Sequence, residues 1–175
     1  TWYRRALDDG DLNAAVPLGS FYEAGAGVAK DPVKAAELYR RAADRGLATA
    51  QDYLGDLYFK GVGLPQDYAE ARAWYRKAAD QQDATAEFSL GSLYYYGQGV
   101  AQDIPAAVEL YKQSAERGMR SGQARYGLAL MQGNGVKMDL QEGESWLRRA
   151  ALQGDPDSAA LVGDLYSRGG ALPPN

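Results

Sequence analysis

Apolar residues near the middle of the chain recur with the spacing of two amphipathic helices joined by a short turn. Within residues 47–61, small and apolar side chains stand at Ala50, Leu54, Leu57 and Tyr58. Within residues 62–83 a second set stands at Ala71, Trp74, Tyr75, Ala78 and Ala79. Spacings near i, i+4, i+7 and i+8 place such side chains on one side of a helix. The pattern therefore predicts a helical hairpin in which each helix buries one face.

The same hairpin pattern recurs along the whole chain with a period of 36 residues and no slip in register. One glycine of the first helix keeps this step at Gly19, Gly55, Gly91, Gly127 and Gly163. One aspartate keeps it at Asp31, Asp67, Asp103 and Asp139. One tyrosine keeps it at Tyr22, Tyr58, Tyr94 and Tyr166, with Leu130 in the remaining copy. A fixed period without insertions indicates a stack of equivalent helical repeats.

Helix ends are marked at the same place in each copy. Asp67, with Glu70 three residues later, has the spacing of a capping box at the start of the second helix, and Asp139 with Glu142 matches it. A glycine just past the first helix closes it in the left-handed conformation, at Gly25, Gly61, Gly97 and Gly133. Pro17 falls within the first helix expected over residues 12–24, so we expect that helix to be shortened or kinked.

The glycine inside each first helix also needs a physical reason, because glycine there lowers helix stability by about 1 kcal/mol relative to alanine. We expect a neighbouring ring or helix to lie against the missing side chain. Together with the hairpin pattern, the motif LG.LY..G.GV..D...A..WYRKAA resembles the Sel1-like repeat, a subclass of the tetratricopeptide-like helical repeats. The resemblance implies an all-α fold, a right-handed superhelical solenoid of antiparallel helix pairs.

The repeat register predicts one repeat domain over residues 1–175. Residues 1–11 match the second helix of a truncated repeat, so we expect upstream sequence to have been lost. Four full repeats follow at 12–47, 48–83, 84–119 and 120–155. We expect the first helix of a terminal repeat at 156–170 and a tail at 171–175.

Composition and charge narrow the functional classes. The 175 residues are 46% hydrophobic and 24% charged, with a net charge of −4 and no basic segment of the kind that binds nucleic acid. The chain has neither cysteine nor histidine, which removes thiolate and imidazole metal ligands and the commonest general base. We therefore expect no enzyme activity, no cofactor, no metal and no nucleic-acid partner.

Two chemical alternatives have simpler explanations in the repeat. The Gly-x-Gly turns lack the continuation of a phosphate-binding loop, so turn formation accounts for their glycines. The recurrent aspartates stand at separate helix starts, where capping accounts for them better than metal binding or acid catalysis does. No apolar run approaches the roughly 20 residues of a membrane span. We therefore expect a soluble protein without membrane insertion, in the bacterial periplasm or cytoplasm.

One face of each first helix escapes the packing pattern, and we call it the first-helix strip. Its members follow one another at intervals of four, three and four residues, which places them on one side of the helix. In stacked helical repeats this side lines the concave surface, where members of the resembled family commonly bind a partner. By repeat, the strips are Asn13, Pro17, Ser20, Ala24; Thr49, Tyr53, Asp56, Lys60; Thr85, Ser89, Ser92, Tyr96; Ser121, Arg125, Leu128, Gln132; and Asp157, Leu161, Asp164, Arg168.

The strips and their neighbours supply candidate contact residues of mixed aromatic and charged character. Aromatic side chains on a binding face are efficient anchors, although Tyr95 could equally fill the gap between adjacent repeats, whereas Tyr94 is a packing residue by its recurrence. The predicted partner-binding residues are Tyr53, Asp56, Phe59, Lys60, Ser92, Tyr95, Tyr96, Arg125, Gln132 and Arg168.

The sequence thus predicts a protein–protein interaction scaffold or adaptor that binds a protein or peptide partner. The resemblance implies a bacterial role related to envelope, secretion or signalling, with an immunity protein that neutralises a secreted toxin as one alternative. A second is a module for a cell-wall glycan or small ligand, with the tyrosines as stacking platforms.

Overall fold

The computed structural model describes residues 2–167, which form ten α-helices, one 3-10 turn and no strand. The all-α prediction is therefore confirmed. The described residues do not include the expected contact residue Arg168, the end of the expected terminal helix at 168–170 or the tail 171–175. The helices are α1 Trp2–Asp8, the 3-10 turn Leu12–Ala14, α2 Ala15–Ala24, α3 Pro32–Ala43, α4 Ala48–Lys60, α5 Tyr68–Ala79, α6 Ala84–Tyr96, α7 Ile104–Glu116, α8 Arg120–Gln132, α9 Leu140–Leu152 and α10 Pro156–Ser167.

The chain forms two compact units, Thr1–Ala86 and Glu87–Asn175, which we call the first unit and the second unit. In the first unit, each helix from α2 to α5 packs on the next, and α2 also contacts α4. Alanines and leucines fill the interface, among them the buried Ala35, Ala42, Ala50 and Leu54. In the second unit, α7 to α10 likewise pack in sequence. Each hairpin thus buries its apolar faces against its neighbours in the chain.

Helix ends follow the sequence signals, with one correction. The Asp67 carboxylate accepts hydrogen bonds from the backbone N–H groups of Ala69 and Glu70, as an N-cap does. The reciprocal half of the expected capping box is absent, because the Asp67 N–H donates instead to the carbonyl of Tyr58, at 2.9 Å. Asp139 repeats this arrangement with the carbonyl of Leu130, at 3.0 Å. The capping aspartate therefore also ties the second helix to the end of the first.

The glycine of the first helix has a ring or a helix against it, as the sequence predicts: an aromatic ring in the first three repeats, and helix α9 at Gly127 in the fourth. A Cβ atom added at Gly55 would lie 2.7 Å from the ring of Tyr75, and one at Gly91 would lie 3.0 Å from the ring of Tyr111. Gly163 differs, because a Cβ there would meet no neighbouring atom of residues 2–167 within 4 Å. The ring comes from the following second helix, and α10 is the last helix in the described range.

Pro17 shortens its helix as expected. The segment begins with the 3-10 turn, and α2 starts only at Ala15, so Pro17 occupies the first α-helical turn. The N–H groups of a first turn have no partner within the helix, and proline loses no hydrogen bond there. The resulting α2 has 10 residues, against 13 in α4.

Polar bonds between the helices also recur with the repeat. Arg4 Nη2 donates to the hydroxyl of Tyr22 at 2.7 Å, and Arg40 makes the equivalent bond to Tyr58. These arginines therefore link α1 to α2 and α3 to α4. Within residues 2–167, no helix combines the length and apolar character needed to cross a bilayer.

Candidate functional site

The first-helix strip of α4 lies outside the core and carries most of the polar side chains of that helix. Tyr53 is 37% exposed, Lys60 is exposed, and Asp56 is half-buried between them and the hairpin partner helix. Tyr53 lies flat against the buried Tyr39, with ring centroids 5.0 Å apart and an interplanar angle of 24°. The structure thus brings three of the predicted contact residues together on one helix face.

Buried tyrosines of the second helices position the carboxylates of this face. The hydroxyl of Tyr75 donates to Asp56 Oδ1 at 2.7 Å, and the hydroxyl of Tyr39 donates to Glu23 Oε2 at 3.2 Å. Burial and the nearby Glu23 carboxylate raise the pKa of Tyr39 above its ordinary value, so the hydroxyl keeps its proton and remains a donor. Asp56 also pairs with Lys60, one helical turn later.

Lys60 lies in a negative field. Burial works against its charge, but the hydrogen bond that Lys60 donates to Asp56 and the charges of Asp56, Glu23 and Asp52 outweigh burial and raise the pKa of Lys60. Phe59 is less available than the other predicted contacts. It is half-buried, and its ring packs 5.5 Å from that of Tyr68 at the start of the next helix.

The second unit presents a different face. Tyr96 is 54% exposed, and its hydroxyl accepts a hydrogen bond from Arg125 Nη2 at 3.4 Å, so these two predicted contacts lie side by side. Tyr95 is half-buried and packs against the core of the unit, 6.2 Å from the ring of Tyr111. The Tyr95 hydroxyl accepts from Asn134 Nδ2 at 3.4 Å. Tyr95 therefore has the contacts of a packing residue.

Ser92 continues the pattern of hydroxyl contacts. Tyr111 donates to Ser92 Oγ at 3.3 Å, and Ser92 donates to the carbonyl of Phe88 at 3.0 Å. Gln132, at the end of α8, is exposed.

The fourth repeat replaces the buried tyrosine by Leu147 and the polar strip residue by Leu128. A cavity of about 280 Å³ opens there within the second unit. Its walls are about equally polar and apolar, and Arg125, Asp155 and Asp157 supply charged groups. This region can accommodate an apolar side chain or a small molecule.

Sequence reasoning missed the positioning role of the second-helix tyrosines. Tyr39, Tyr75 and Tyr111 stand 36 residues apart, and this spacing could have marked them together with the glycines that their rings cover. Each sends its hydroxyl to a polar residue of the preceding first helix, namely Glu23, Asp56 or Ser92.

A second missed feature is a polar pair with one buried partner that recurs within the repeats, the buried partner being Gln51, Glu87 or Gln123. Gln81 donates to Gln51 Oε1 at 2.8 Å, and Gln153 donates to Gln123 Oε1 at 2.9 Å. In the repeat between them the pair is ionic, with Arg117 Nε 2.8 Å from Glu87 Oε1.

Comparison with known proteins gives one family. The Sel1 repeat profile matches residues 13–47, 48–83, 84–119 and 120–155. A protective antigen of uropathogenic Escherichia coli strains, which displays an SLR fold, is 38% identical with a TM-score of 0.90 over 96% of this chain. This chain spans only 36% of that protein. None of the curated proteins matches the chain.

Two further structures are similar. A Sel1 repeat protein from Oxalobacter formigenes is 35% identical with a TM-score of 0.88, over 99% of this chain and 74% of that one. The cysteine rich protein B of Helicobacter pylori, at 20% identity and a TM-score of 0.60 over 75% of this chain and 95% of that one, shares the fold. The Escherichia coli and Oxalobacter proteins are bacterial, which indicates a bacterial origin for this chain. Since four matched repeats cover most of its length, the chain belongs to the Sel1 repeat family.

Proposed function

We propose that the chain is a non-enzymatic interaction scaffold that binds a protein or peptide partner through its first-helix strips. The observation that carries this proposal is the exposure of large aromatic side chains on the first-helix strips. Tyr53 is 37% exposed and Tyr96 is 54% exposed, each beside charged strip residues. Tyrosine combines a large apolar ring with a polar tip, which makes it an effective contact residue in protein interfaces. Sel1 repeat proteins are generally interaction scaffolds, which supports the same assignment.

The proposal is tested by removing the aromatic and cationic contacts while keeping the fold. The tagged chain is used to capture partners from its bacterial host, and the captured protein is then purified for affinity measurements. The triple variant Tyr53→Ala, Tyr96→Ala, Arg125→Ala should bind it at least tenfold more weakly, because each side chain is at least partly exposed and removable without opening the core. The melting temperature should change little. Unaltered affinity in the triple variant would refute the assignment of the strips.

The identity of the captured protein also separates the roles that a scaffold can have. An envelope, secretion or signalling component identifies an adaptor of the periplasm or cytoplasm. A secreted toxin whose activity falls on binding identifies an immunity protein.

The cavity of about 280 Å³ in the second unit favours a second candidate, a module for a small ligand or cell-wall glycan. Arg125 and Asp157 could bind its polar groups, while Leu128 and Leu161 contact an apolar part. Cell-wall fragments should then quench the tyrosine and tryptophan fluorescence without any protein present. Quenching that persists unchanged in an Arg125→Ala, Leu128→Ala variant would place the ligand elsewhere.

A further inference from the structure

Acidic side chains converge on the exposed face of α4 in the first unit. Asp52 and Asp56 are separated by one helical turn, so they lie on the same side of the helix. Glu23 and Asp83 add two more carboxylates, since Glu23 acts on Lys60 and Asp83 acts on Asp52. Lys60 pairs with Asp56 and offsets its charge. Burial raises the pKa of Asp52 to about 7, so its carboxyl group is partly protonated at neutral pH. Glu23 and Asp83 therefore supply the negative field of this face.

Asp52 is the least compensated member of the group. It is 8% exposed, and its Oδ1 atom has no hydrogen-bond partner within residues 2–167. The equivalent positions of other repeats are apolar, with Val16, Phe88 and Ala124. A buried carboxylate without a partner lowers stability. Neither helix formation nor core packing explains its presence in this repeat.

The groups beside Asp52 are an aromatic ring and oriented carboxylates, which are the groups that a guanidinium binds. Tyr53 offers an exposed aromatic ring, held by its stacking on Tyr39. Glu23 and Asp56 are oriented by hydroxyls of buried tyrosines. An arginine side chain stacks on aromatic rings and forms directional, charge-assisted hydrogen bonds with carboxylates.

We propose that this face of the first unit binds an arginine side chain of the partner, with the guanidinium against Tyr53 and paired with Glu23 and Asp56. The inference rests on the proposed function and specifies the chemistry of the partner segment. Lys60 competes for the same carboxylates and so sets how strongly the arginine is held.

The probe is a fluorescein-labelled peptide of alternating arginine and glycine residues. Its binding to the full chain is measured by fluorescence anisotropy. The Glu23→Gln, Asp56→Asn double variant should bind it at least tenfold more weakly. Both substitutions keep an oxygen that accepts the tyrosine hydroxyl, so the local bonds remain while the charge is lost. Lys60→Gln should bind the peptide several-fold more tightly, because a competing cation is removed. Misfolding would weaken binding, so it cannot explain such a gain in affinity.

The matched control is Glu37→Gln, Glu109→Gln, which removes two exposed carboxylates on α3 and α7 and changes the net charge equally. It should change the affinity less than twofold, and a peptide with citrulline in place of arginine should bind weakly to every variant. Equal losses in the control and site variants would overturn the proposal, as would equal binding of the citrulline peptide. If a captured partner depends on Tyr53, Tyr96 and Arg125 but not on Glu23 and Asp56, the scaffold assignment stands and this inference fails.

Discussion

The buried carboxyl group of Asp52 gives a direct prediction about stability and pH. Burial raises its pKa from 3.8 to about 7, and the charges of Asp83 and Asp56 add to the effect while Lys60 opposes it. A folded-state pKa above the unfolded value means that the folded chain binds the extra proton between these two pH values. Stability should therefore fall as the pH rises from about 4 to about 7 and stay at its lower level above that.

The magnitude follows from the size of the shift. One pKa unit corresponds to about 1.4 kcal/mol, so a shift of about three units corresponds to at most about 4 kcal/mol of lost stability above pH 7. We expect Asp52→Asn, which removes the charge, to raise the free energy of unfolding at pH 8 by about 2 to 4 kcal/mol. At pH 4 the variant and the wild type should agree within about 1 kcal/mol, because the carboxyl group is then largely protonated. Asp52→Val, which copies Val16, should stabilise further because it leaves no polar group buried.

Urea denaturation followed by circular dichroism at 222 nm, at intervals from pH 4 to pH 8, measures this difference. The chain is well suited to the experiment, because it has no histidine or cysteine to titrate in the same interval. The wild-type slope should vanish in Asp52→Asn. Parallel curves for the two proteins from pH 5 to pH 8, or an Asn variant that is less stable at pH 8, would refute the reasoning.

Two further predictions concern packing and an ion pair with one buried partner. Gly55→Ala should destabilise the chain by about 1 to 3 kcal/mol, since the new methyl group would lie 2.7 Å from the ring of Tyr75. Gly163→Ala, which meets no close neighbour among residues 2–167, should stabilise by up to about 1 kcal/mol. Thermal unfolding compares the two, and a stabilised Gly55→Ala would contradict the predicted close approach. Arg117→Gln should lower the free energy of unfolding by about 1 to 3 kcal/mol, because it leaves the carboxylate of Glu87, which is 1% exposed, without its ion-pair partner. Adding Glu87→Gln should restore most of this stability, because it recreates the neutral glutamine pair of the adjacent repeats. A double variant no more stable than the single one would show that the ion pair is not equivalent to the glutamine pairs.

The repeat made much of the fold predictable from sequence. Helix caps at Asp67 and helix ends at Gly61 depend on the backbone conformation of a few adjacent residues, which local sequence largely determines. The sequence predicted that a ring or helix lies against Gly55, because a glycine inside a helix is explained by a close neighbour. That the ring belongs to Tyr75 depends on how the two helices dock, and it emerged only from the structure.

The candidate site was less predictable, because its chemistry depends on contacts between helices. The helical period placed Tyr53, Asp56 and Lys60 on one face. It gave no indication that a buried hydroxyl holds Asp56, or that Tyr95 packs inward while Tyr96 stays exposed. The closed capping box was wrong for a similar reason. The N–H of Asp67 found a carbonyl of the preceding helix, which is a tertiary contact that local spacing does not encode.

The central claim is that the exposed strip residues of the first helices bind the partner. Photo-cross-linking in the bacterial host tests it most directly, with p-benzoylphenylalanine placed singly at Tyr53, Tyr96, Val33 or Leu152. The last two positions are exposed apolar sites on the second helices α3 and α9, and they serve as matched controls. The account predicts a covalent adduct with one protein from positions 53 and 96 and none from positions 33 and 152. Adducts from the second-helix positions alone would contradict it.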